Sequence, residues 1–218
     1  MSGTPDAAAA YRTVAERGEA TFEVQGSRFL GHVVPADSTD AAEAFVERVE
    51  TEYADATHNV PAYRVRADPL REYASDDGEP GGSAGKPALT VLKREDLENV
   101  AAVVTRYYGG TNLGVGGLSR AYGRAVNLAV DDAGTLEEQP HETVAIAVEY
   151  DDSGIVRGIV ESADVAFEAT YGERVAFEVQ VPVAERDALR ERVLSATSGR
   201  AEIDTGDDPF SNGRTDEL

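Results

Sequence analysis

A glycine-rich segment, TRYYGGTNLGVGGLSRAYGRA at residues 105–125, contains the residue types of an anion-binding turn. Adjacent glycines let backbone amides point into one concavity, and a helix beginning near Gly117 would direct its free N–H groups and its positive dipole end there. Arginines could grip a phosphate from both sides, and tyrosine rings could stack on bases. The residues predicted to contact an anion or a nucleic acid are Arg106, Tyr107, Tyr108, Gly109, Gly110, Gly114, Gly116, Gly117, Arg120 and Tyr122, with Arg64 and Lys86 expected nearby. The segment also suits a sharp strand-to-helix turn with its tyrosines in the core and its arginines in solvent.

The charge distribution favours the anion-binding interpretation. Residues 99–130 contain no Asp or Glu, although the formal net charge of the chain is −21. Residues 58–122 have eight basic and eight acidic residues, whereas both flanks are strongly acidic. Because carboxylates are absent around the glycines while arginines remain, this segment is the part of the chain best suited to an anionic partner.

A second segment, SDDGEP at residues 75–80, places three carboxylates within four residues. Asp76, Asp77 and Glu79 could bind Mg²⁺ or serve as acid and base in a hydrolysis, and His58 could take part as an acid or base. The same letters are typical of a surface turn, and the carboxylates could equally pair with neighbouring arginines. The catalytic residues therefore stay open, with these four as candidates. No metal site is predicted beyond the first two carboxylates, and no cofactor is predicted.

Hydrophobic periodicity predicts the elements that would position these residues. The predicted strands of the first part are two within 20–35, with a turn at Gly26-Ser27, and one each over 59–66 and 99–106. The predicted helices are one capped at Ser38-Thr39-Asp40 that runs to about residue 53, one over 83–92 and one over 118–130, and residues 68–85 are predicted to be loop.

From His141 onward the pattern changes to a βαββαβ order, which is the ferredoxin-like arrangement of two split βαβ units. The predicted fold class is α+β, with an α/β domain first and a smaller ferredoxin-like domain second. The predicted organisation is a flexible N-terminus at 1–18, a first domain at 19–138, a second domain at 141–205 and a flexible acidic tail at 206–218.

Composition excludes several classes of site. The chain has no cysteine, so disulfides, thiolate nucleophiles and zinc–thiolate sites are all excluded. No apolar run is long enough to span a bilayer, and no secretory signal is visible, so we expect a cytoplasmic protein without a membrane partner. Eighteen arginines, two lysines and a large excess of acids indicate a halophilic acidic protein from a salty cytoplasm. The net acidity is therefore weak evidence against an anionic partner.

Taken together, these motifs resemble the IMPACT family, also called the bacterial YigZ-like family. The matching segments are SRF at 27–29, DATHNVPAYR at 55–64, SDDGEPGGSAGKP at 75–87 and NVAAVVTRYYGGTNLGVGGLSRAY at 99–122. One departure is Val60, where many relatives carry cysteine, so any role of that thiol does not transfer. The resemblance covers residues 27–122, and the second half matches only in its βαββαβ order.

The resemblance implies a first domain like the second domain of ribosomal protein S5, followed by a ferredoxin-like domain. It also implies a role in translation regulation. Eukaryotic members restrain the kinase that shuts down initiation during amino-acid starvation, and they do so with a further partner-binding domain for which this chain has no room.

Three functions remain as hypotheses. The favoured one is a translation-associated regulator that binds RNA or the ribosome through the glycine, arginine and tyrosine loop. The first alternative is a Mg-dependent enzyme that acts on a phosphorylated small molecule or peptide. The second is a protein–protein regulatory module without nucleic acid, in which the acidic C-terminal domain meets a basic partner. The sequence leaves the oligomeric state open.

Overall fold

The computed structural model of the chain describes residues 6, 8–67 and 69–205. Helices and strands are mixed along its length, so the predicted α+β class is confirmed. Among the described residues, the chain divides into two compact units: residues 11–138 form the first, and residues 139–205 together with 6 and 8–10 form the second. The predicted acidic tail at 206–218 lies outside the described residues. No helix within the described ranges is long and apolar enough to cross a membrane.

The first unit is built on a five-stranded antiparallel sheet. In spatial order its strands are β2 (Gly18–Val24), β3 (Ser27–Pro35), β6 (Val100–Tyr107), β4 (His58–Val65) and β5 (Arg71–Ala74). Two further strands, β1 (Tyr11–Val14) and β7 (Thr135–Glu138), pair antiparallel with each other. The helices are α1 (Thr39–Glu52), α2 (Gly85–Arg94) and α3 (Gly114–Ala133).

The helices cover both faces of this sheet. Successive side chains of a strand point to opposite faces, and in β6 Ala101 and Val103 join the core cluster around Phe45 of α1. Ala102 and Val104 join the larger cluster formed with α2 and α3. Strand β6 is therefore buried on both faces, which explains its uninterrupted apolar sequence.

The β2–β3 hairpin closes through Gln25 and Gly26, whose φ angles are 48° and 82°. Two positive φ angles give the mirror-image turn that matches the right-handed twist of paired strands. The backbone of Gly109 packs against this turn so closely that a Cβ there would lie 1.9 Å from the carbonyl carbon of Gly26. The hairpin turn is thereby fixed against the end of β6.

The prediction of loop over 68–85 is wrong at residues 71–74, which form β5. This short strand pairs with β4, and Tyr73 lies opposite Tyr63 with their ring centroids 5.1 Å apart. A four-residue edge strand is too short to show a clear alternation. Its formation depends on the partner strand and not on its own pattern.

Helix α3 begins at Gly114 instead of Leu118 and ends at Ala133 instead of Val130. Glycine is unfavourable in helices by about 1 kcal/mol relative to alanine, so the GVGG sequence alone does not predict a helical turn. Packing on the sheet compensates, because α3 lies very close to β3: a Cβ on Gly31 would be 2.3 Å from the carbonyl oxygen of Ala125.

The predicted flexible N-terminus at 1–18 is wrong for residues 11–14. Tyr11 and Val14 are buried, and their strand β1 pairs with β7, which the sequence also leaves unpredicted. Residues 1–5 and 7 lie outside the described part of the chain.

The second unit contains β8 (His141–Val148), α4 (Tyr150–Ser162), β9 (Phe167–Tyr171), β10 (Val175–Pro182), a short 3₁₀ helix (Val183–Glu185), α5 (Arg186–Ala196) and β11 (Glu202–Thr205). Its strands are antiparallel in the spatial order β11-β8-β10-β9. The βαββαβ order and the ferredoxin-like arrangement predicted from the sequence are confirmed. Phe177, Ile146 and Val156 are among the side chains of its core.

Candidate functional site

Three neighbouring strands of the first unit bring the sequence motifs to one edge of the sheet. Phe29 of β3 and His58 of β4 lie on opposite sides of Arg106 of β6 in the strand register. The acidic loop, which we define as residues 75–84, lies over the same edge because its side chains and backbone bond to β4 and β6. The glycine loop, defined as residues 108–113, leaves β6 at this point.

A buried ion pair lies at the centre of this edge. Arg106 Nη1 donates to Glu79 Oε1 at 2.5 Å, and Tyr122 donates its hydroxyl proton to the same oxygen at 2.8 Å. Arg106 Nη2 also donates to Ser27 Oγ at 3.2 Å. Burial and the hydrogen bond to the Glu79 carboxylate raise the pKa of Tyr122 far above its ordinary value, so the phenol stays a donor.

His58 faces this ion pair with its proton placed by the acidic loop. Its Nδ1 lies 2.6 Å from the carbonyl oxygen of Asp77, and a carbonyl can only accept, so Nδ1 carries the proton. In the neutral ring, Nε2 is therefore unprotonated and lies 3.9 Å from Glu79 Oε1. That separation is too long for a hydrogen bond.

Asp76 binds the backbone at the start of helix α2, where Ala84 occupies the N-cap position. Its carboxylate accepts hydrogen bonds from the backbone amides of Gly82, Ala84 and Gly85 at 2.6 to 2.9 Å. Partial burial acts to raise the pKa of Asp76, but the three amide hydrogen bonds outweigh it and hold the pKa below its ordinary value. These amides include those that α2 leaves without an internal partner.

The neighbouring carboxylate, that of Asp77, is also hydrogen-bonded to the backbone. Its Oδ2 accepts from the backbone amide of Asn59 at 2.6 Å, and its own amide donates to Ser75 Oγ. Among the described residues, no group of three or more His, Asp or Glu side chains has a geometry that could hold a metal ion. The Mg²⁺ site considered from the sequence therefore finds no ligand set in this part of the chain.

The glycine loop has one exposed aromatic side chain. The Tyr108 ring is 45% exposed, and its hydroxyl donates to Asn112.

The other two tyrosines predicted as contacts are held by the fold. Tyr107 donates to Asp55 at 2.7 Å and lies under the guanidinium of Arg28. Tyr122, predicted from the sequence as a stacking surface, is completely buried, so that part of the prediction is corrected: its ring packs on core residues.

The predicted glycines have two different environments. Gly109 is held against the hairpin turn, whereas a Cβ on Gly110 would meet nothing within 4 Å. Gly114, Gly116 and Gly117 belong to the first turn of α3 and not to a loop.

Arg64 lies apart from these residues, at the far end of β4. It is six residues from His58, which is about 20 Å along an extended strand. Its guanidinium donates to the carbonyl of Leu97 at 2.7 Å and to Glu72 at 3.1 Å. Arg64 is thus a buried residue of the fold, and the structure does not bring it to the other predicted anion contacts.

A groove of about 620 Å³ lies between the outer surfaces of α2 and α3, and we name it the α2–α3 groove. Its polar lining side chains are Lys86, Thr90, Arg94, Ser119, Arg120, Arg124 and Asn127. No carboxylate is among the lining residues in the described part of the chain. The structure therefore brings together two predicted anion contacts, Lys86 and Arg120, with two further arginines.

The four cationic side chains of the groove differ in whether they already contact other side chains of the protein. Arg94 donates to Asn127 at 2.9 Å and pairs with Glu95, and Arg124 lies 4.5 Å from the ring centroid of Phe22. Lys86 and Arg120 are exposed, and within the described ranges neither side chain has an ion pair or a side-chain hydrogen bond. These two side chains are free to bind an anion.

Sequence reasoning missed Arg94 and Arg124, although helical spacing could have found them. Residues 86, 90 and 94 are separated by four, as are 120 and 124, so each set lies on one face of its helix. The packing of α2 against α3 then places the two faces side by side.

Both units of the chain match known protein domains. The sequence profile of the Impact N-terminal domain matches residues 25–130, and that of a domain of unknown function (DUF1949) matches residues 146–200. The chain is 36% identical to IMPACT family member YvyE of Bacillus subtilis over 198 residues, which cover 90% of this chain and 91% of that protein.

Two further similarities agree with this match. IMPACT family member YigZ of Escherichia coli is 37% identical over 83% of this chain and 90% of its own length. A solved structure titled as the crystal structure of a hypothetical protein superposes with a TM-score of 0.67 at 32% identity, covering 89% of this chain and 96% of the other.

Proposed function

The chain belongs to the IMPACT family, and we propose that it is a translation-associated regulator that binds RNA or the ribosome through the α2–α3 groove. One observation carries this proposal: the charged side chains lining the groove are all cationic, in a chain of net charge −21. A cationic surface within an acidic protein concentrates the positive potential at one place and repels anions elsewhere.

The arrangement of the cations suits a phosphate backbone. Lys86 and Arg94 are eight residues apart on α2, which is about 12 Å along the helix axis. Arg120 and Arg124 lie one turn apart on α3, opposite them. A row of this kind contacts successive phosphates with little base specificity, and hydroxyl and amide groups such as Thr90 add hydrogen bonds to the same backbone.

This proposal moves the anion contact away from Arg106. The sequence alone favours Arg106 because it ends a strand beside the glycines, but its charge is neutralised by Glu79 and both side chains are buried. A phosphate at that position would have to displace a carboxylate bonded to two donors. Arg120 and Lys86 are retained from the sequence hypothesis, and Tyr108 of the glycine loop is exposed but does not line the groove.

The hydrogen bonds of the candidate carboxylates favour a binding function over catalysis. Asp76 holds helix α2, and Glu79 holds Arg106 and Tyr122, so the carboxylates considered for a Mg-dependent reaction are occupied by bonds within the fold. The hypothesis of a regulatory contact with protein alone assigns that contact to the acidic second domain. Deleting this domain should abolish such a contact but leave groove binding intact, so the deletion distinguishes the two hypotheses.

The test reverses charge in the groove. Lys86→Glu with Arg120→Glu is compared with Arg48→Glu with Arg190→Glu, which alters two exposed arginines outside the groove by the same charge. Ribosomes purified in molar salt and in low salt are mixed with each protein and sedimented through sucrose. We expect the wild type and the control to sediment with ribosomes and the groove variant to stay at the top of the gradient.

Two results would contradict the proposal. One is a wild-type protein that remains at the top of the gradient under both salt conditions. The other is a groove variant that sediments with ribosomes as completely as the matched control.

A further inference from the structure

A second cavity of about 170 Å³ opens beside the α2–α3 groove, between β2 and the first turns of α3. Arg120 and Arg124 line both cavities. The other walls are mainly apolar and include Phe22, Val24 and Leu113. The same two guanidinium groups therefore border a basic groove on one side and an apolar recess on the other.

The recess has a flat wall. The Phe22 ring stacks on buried Phe29 with 5.5 Å between centroids and 10° between planes. The Arg124 guanidinium lies over Phe22 at 4.5 Å from the ring centroid and is exposed. Because Phe29 and the Arg124 guanidinium already lie against the Phe22 ring, the plane left for a base is the exposed guanidinium of Arg124, and unstacked bases are commonly bound on such planes.

The side chain of Gln25 contributes a polar group to the same recess. Gln25 occupies the hairpin turn with a positive φ of 48°, and its side chain lines the cavity. Within the described ranges its amide group has no hydrogen-bond partner. A glutamine amide offers an acceptor oxygen beside an NH₂ donor, so it can bind one adjacent donor and acceptor on a Watson–Crick edge.

From these contacts we infer that the recess, named here the base pocket, binds one unpaired nucleobase whose phosphate is held by Arg120 and Arg124. The inference rests on the proposed function for its phosphate contacts, and it narrows the ligand class to single-stranded nucleotide. The cavity has the volume of roughly six water molecules at about 30 Å³ each, which suits one planar ring system. A base paired in a duplex cannot enter it.

The test measures binding of the full-length chain to five probes: a short single-stranded RNA, its duplex, an equally charged strand without bases, the mononucleotide, and inorganic polyphosphate. We expect the strand with bases to bind about tenfold more tightly than the strand without them, because stacking of one base contributes on this scale. The duplex is expected to bind no better than the strand without bases.

Leu113→Trp fills the base pocket and is expected to remove the tenfold difference while leaving polyphosphate binding unchanged. Val115→Trp is the matched control, because Val115 lies in the first turn of α3 but is 57% exposed and does not line the pocket. Gln25→Ala changes an exposed side chain without threatening the core, and it is expected to weaken binding of the strand with bases only.

The outcomes separate the two proposals. If no probe binds, polyphosphate included, the groove proposal fails. If polyphosphate binds but the strands with and without bases bind equally, or the duplex matches the single strand, the base pocket alone is refuted. Equal binding of the mononucleotide and the strand supports the base pocket and identifies free nucleotide as the source of its ligand.

Discussion

Arg106 and Glu79 form a buried ion pair with 2.5 Å between Nη1 and Oε1, and neither side chain is more than 5% exposed. The pair joins the end of a central strand to the acidic loop, 27 residues away in sequence. It explains why the most prominent arginine of the glycine-rich motif is not available to a ligand.

Removing one member of this pair is expected to destabilise the first unit strongly. Glu79→Leu leaves the guanidinium of Arg106 buried without a counter-charge, and loss of one partner of a buried pair typically costs about 3–5 kcal/mol. The free energy of unfolding in urea is the measurement. Glu79→Leu with Arg106→Met should recover part of the loss, because replacing both partners by apolar side chains is often close to neutral. A double variant no more stable than Glu79→Leu would contradict this account.

Asp76→Ala should lower the free energy of unfolding by about 1–2 kcal/mol, because backbone amides at the start of α2 lose their acceptor. Asp76→Asn keeps one acceptor oxygen and should lose less. The pKa of Asp76 is depressed in the folded state, so its contribution is present above the unfolded value near 3.8 and is lost as pH falls through the lower folded pKa. The free energy of unfolding in urea should therefore fall more between pH 5 and pH 3 for the wild type than for Asp76→Asn.

His32 is expected to make stability fall on mild acidification. Its ring is 2% exposed, and burial lowers its pKa below 6.5. Glu19, which lies 3.6 Å from Nδ1, and Glu52 act to raise the pKa, whereas Arg17 acts to lower it further. Because the folded pKa is below the unfolded one, protonation favours the unfolded chain, and stability declines as pH falls below about 6.5.

The measurement for His32 is the urea midpoint at pH 7.5 and pH 5.5. His32→Phe keeps an aromatic ring against Tyr53 and removes the titrating group. The variant should show a smaller change between the two pH values than the wild type. An identical change in both proteins would assign the pH dependence to other groups.

Neutralising the groove should reduce the salt dependence of RNA binding. Each phosphate contact to a single strand contributes about −0.7 to the slope of log K against log salt. Lys86→Gln with Arg120→Gln should therefore make that slope less steep by about 1.4, as measured by titrations at several KCl concentrations. Arg48→Gln with Arg190→Gln should leave it unchanged. Equal slopes in the wild type and the groove variant would place the phosphate contacts elsewhere.

Stability is expected to rise with salt, because the chain has a net charge of −21. Screening shortens the Debye length from about 10 Å at 0.1 M to about 3 Å at 1 M, which weakens repulsion among surface carboxylates. The thermal midpoint should increase between these KCl concentrations. Glu47→Gln with Glu50→Gln, on the exposed side of α1, should reduce the increase. A midpoint independent of KCl would rule out self-repulsion as a significant term.

The sequence by itself determined the elements whose signals are local. Alternating apolar residues indicate β3 and β4, and the second unit has its predicted βαββαβ order. The cap predicted within Ser38-Thr39-Asp40 is present, and its acceptor is Ser38, which binds the amide of Ala41 at 3.1 Å. These succeed because a period of two or 3.6 and a capping side chain act within a few residues. Short strands such as β1, β5 and β7 escape this reasoning, because each is formed by its pairing partner.

Only the tertiary structure decided which cations can meet a ligand. From the sequence, Arg64, Arg106 and Arg120 are all predicted to lie at the same anion contact. In the fold, the first pairs with Glu72, the second with Glu79, and the third faces the α2–α3 groove beside Lys86. The physical reason is that a buried charge must be paired with a residue brought from elsewhere in the chain. Neither that partner nor the side of a helix left open to solvent can be read from spacing alone.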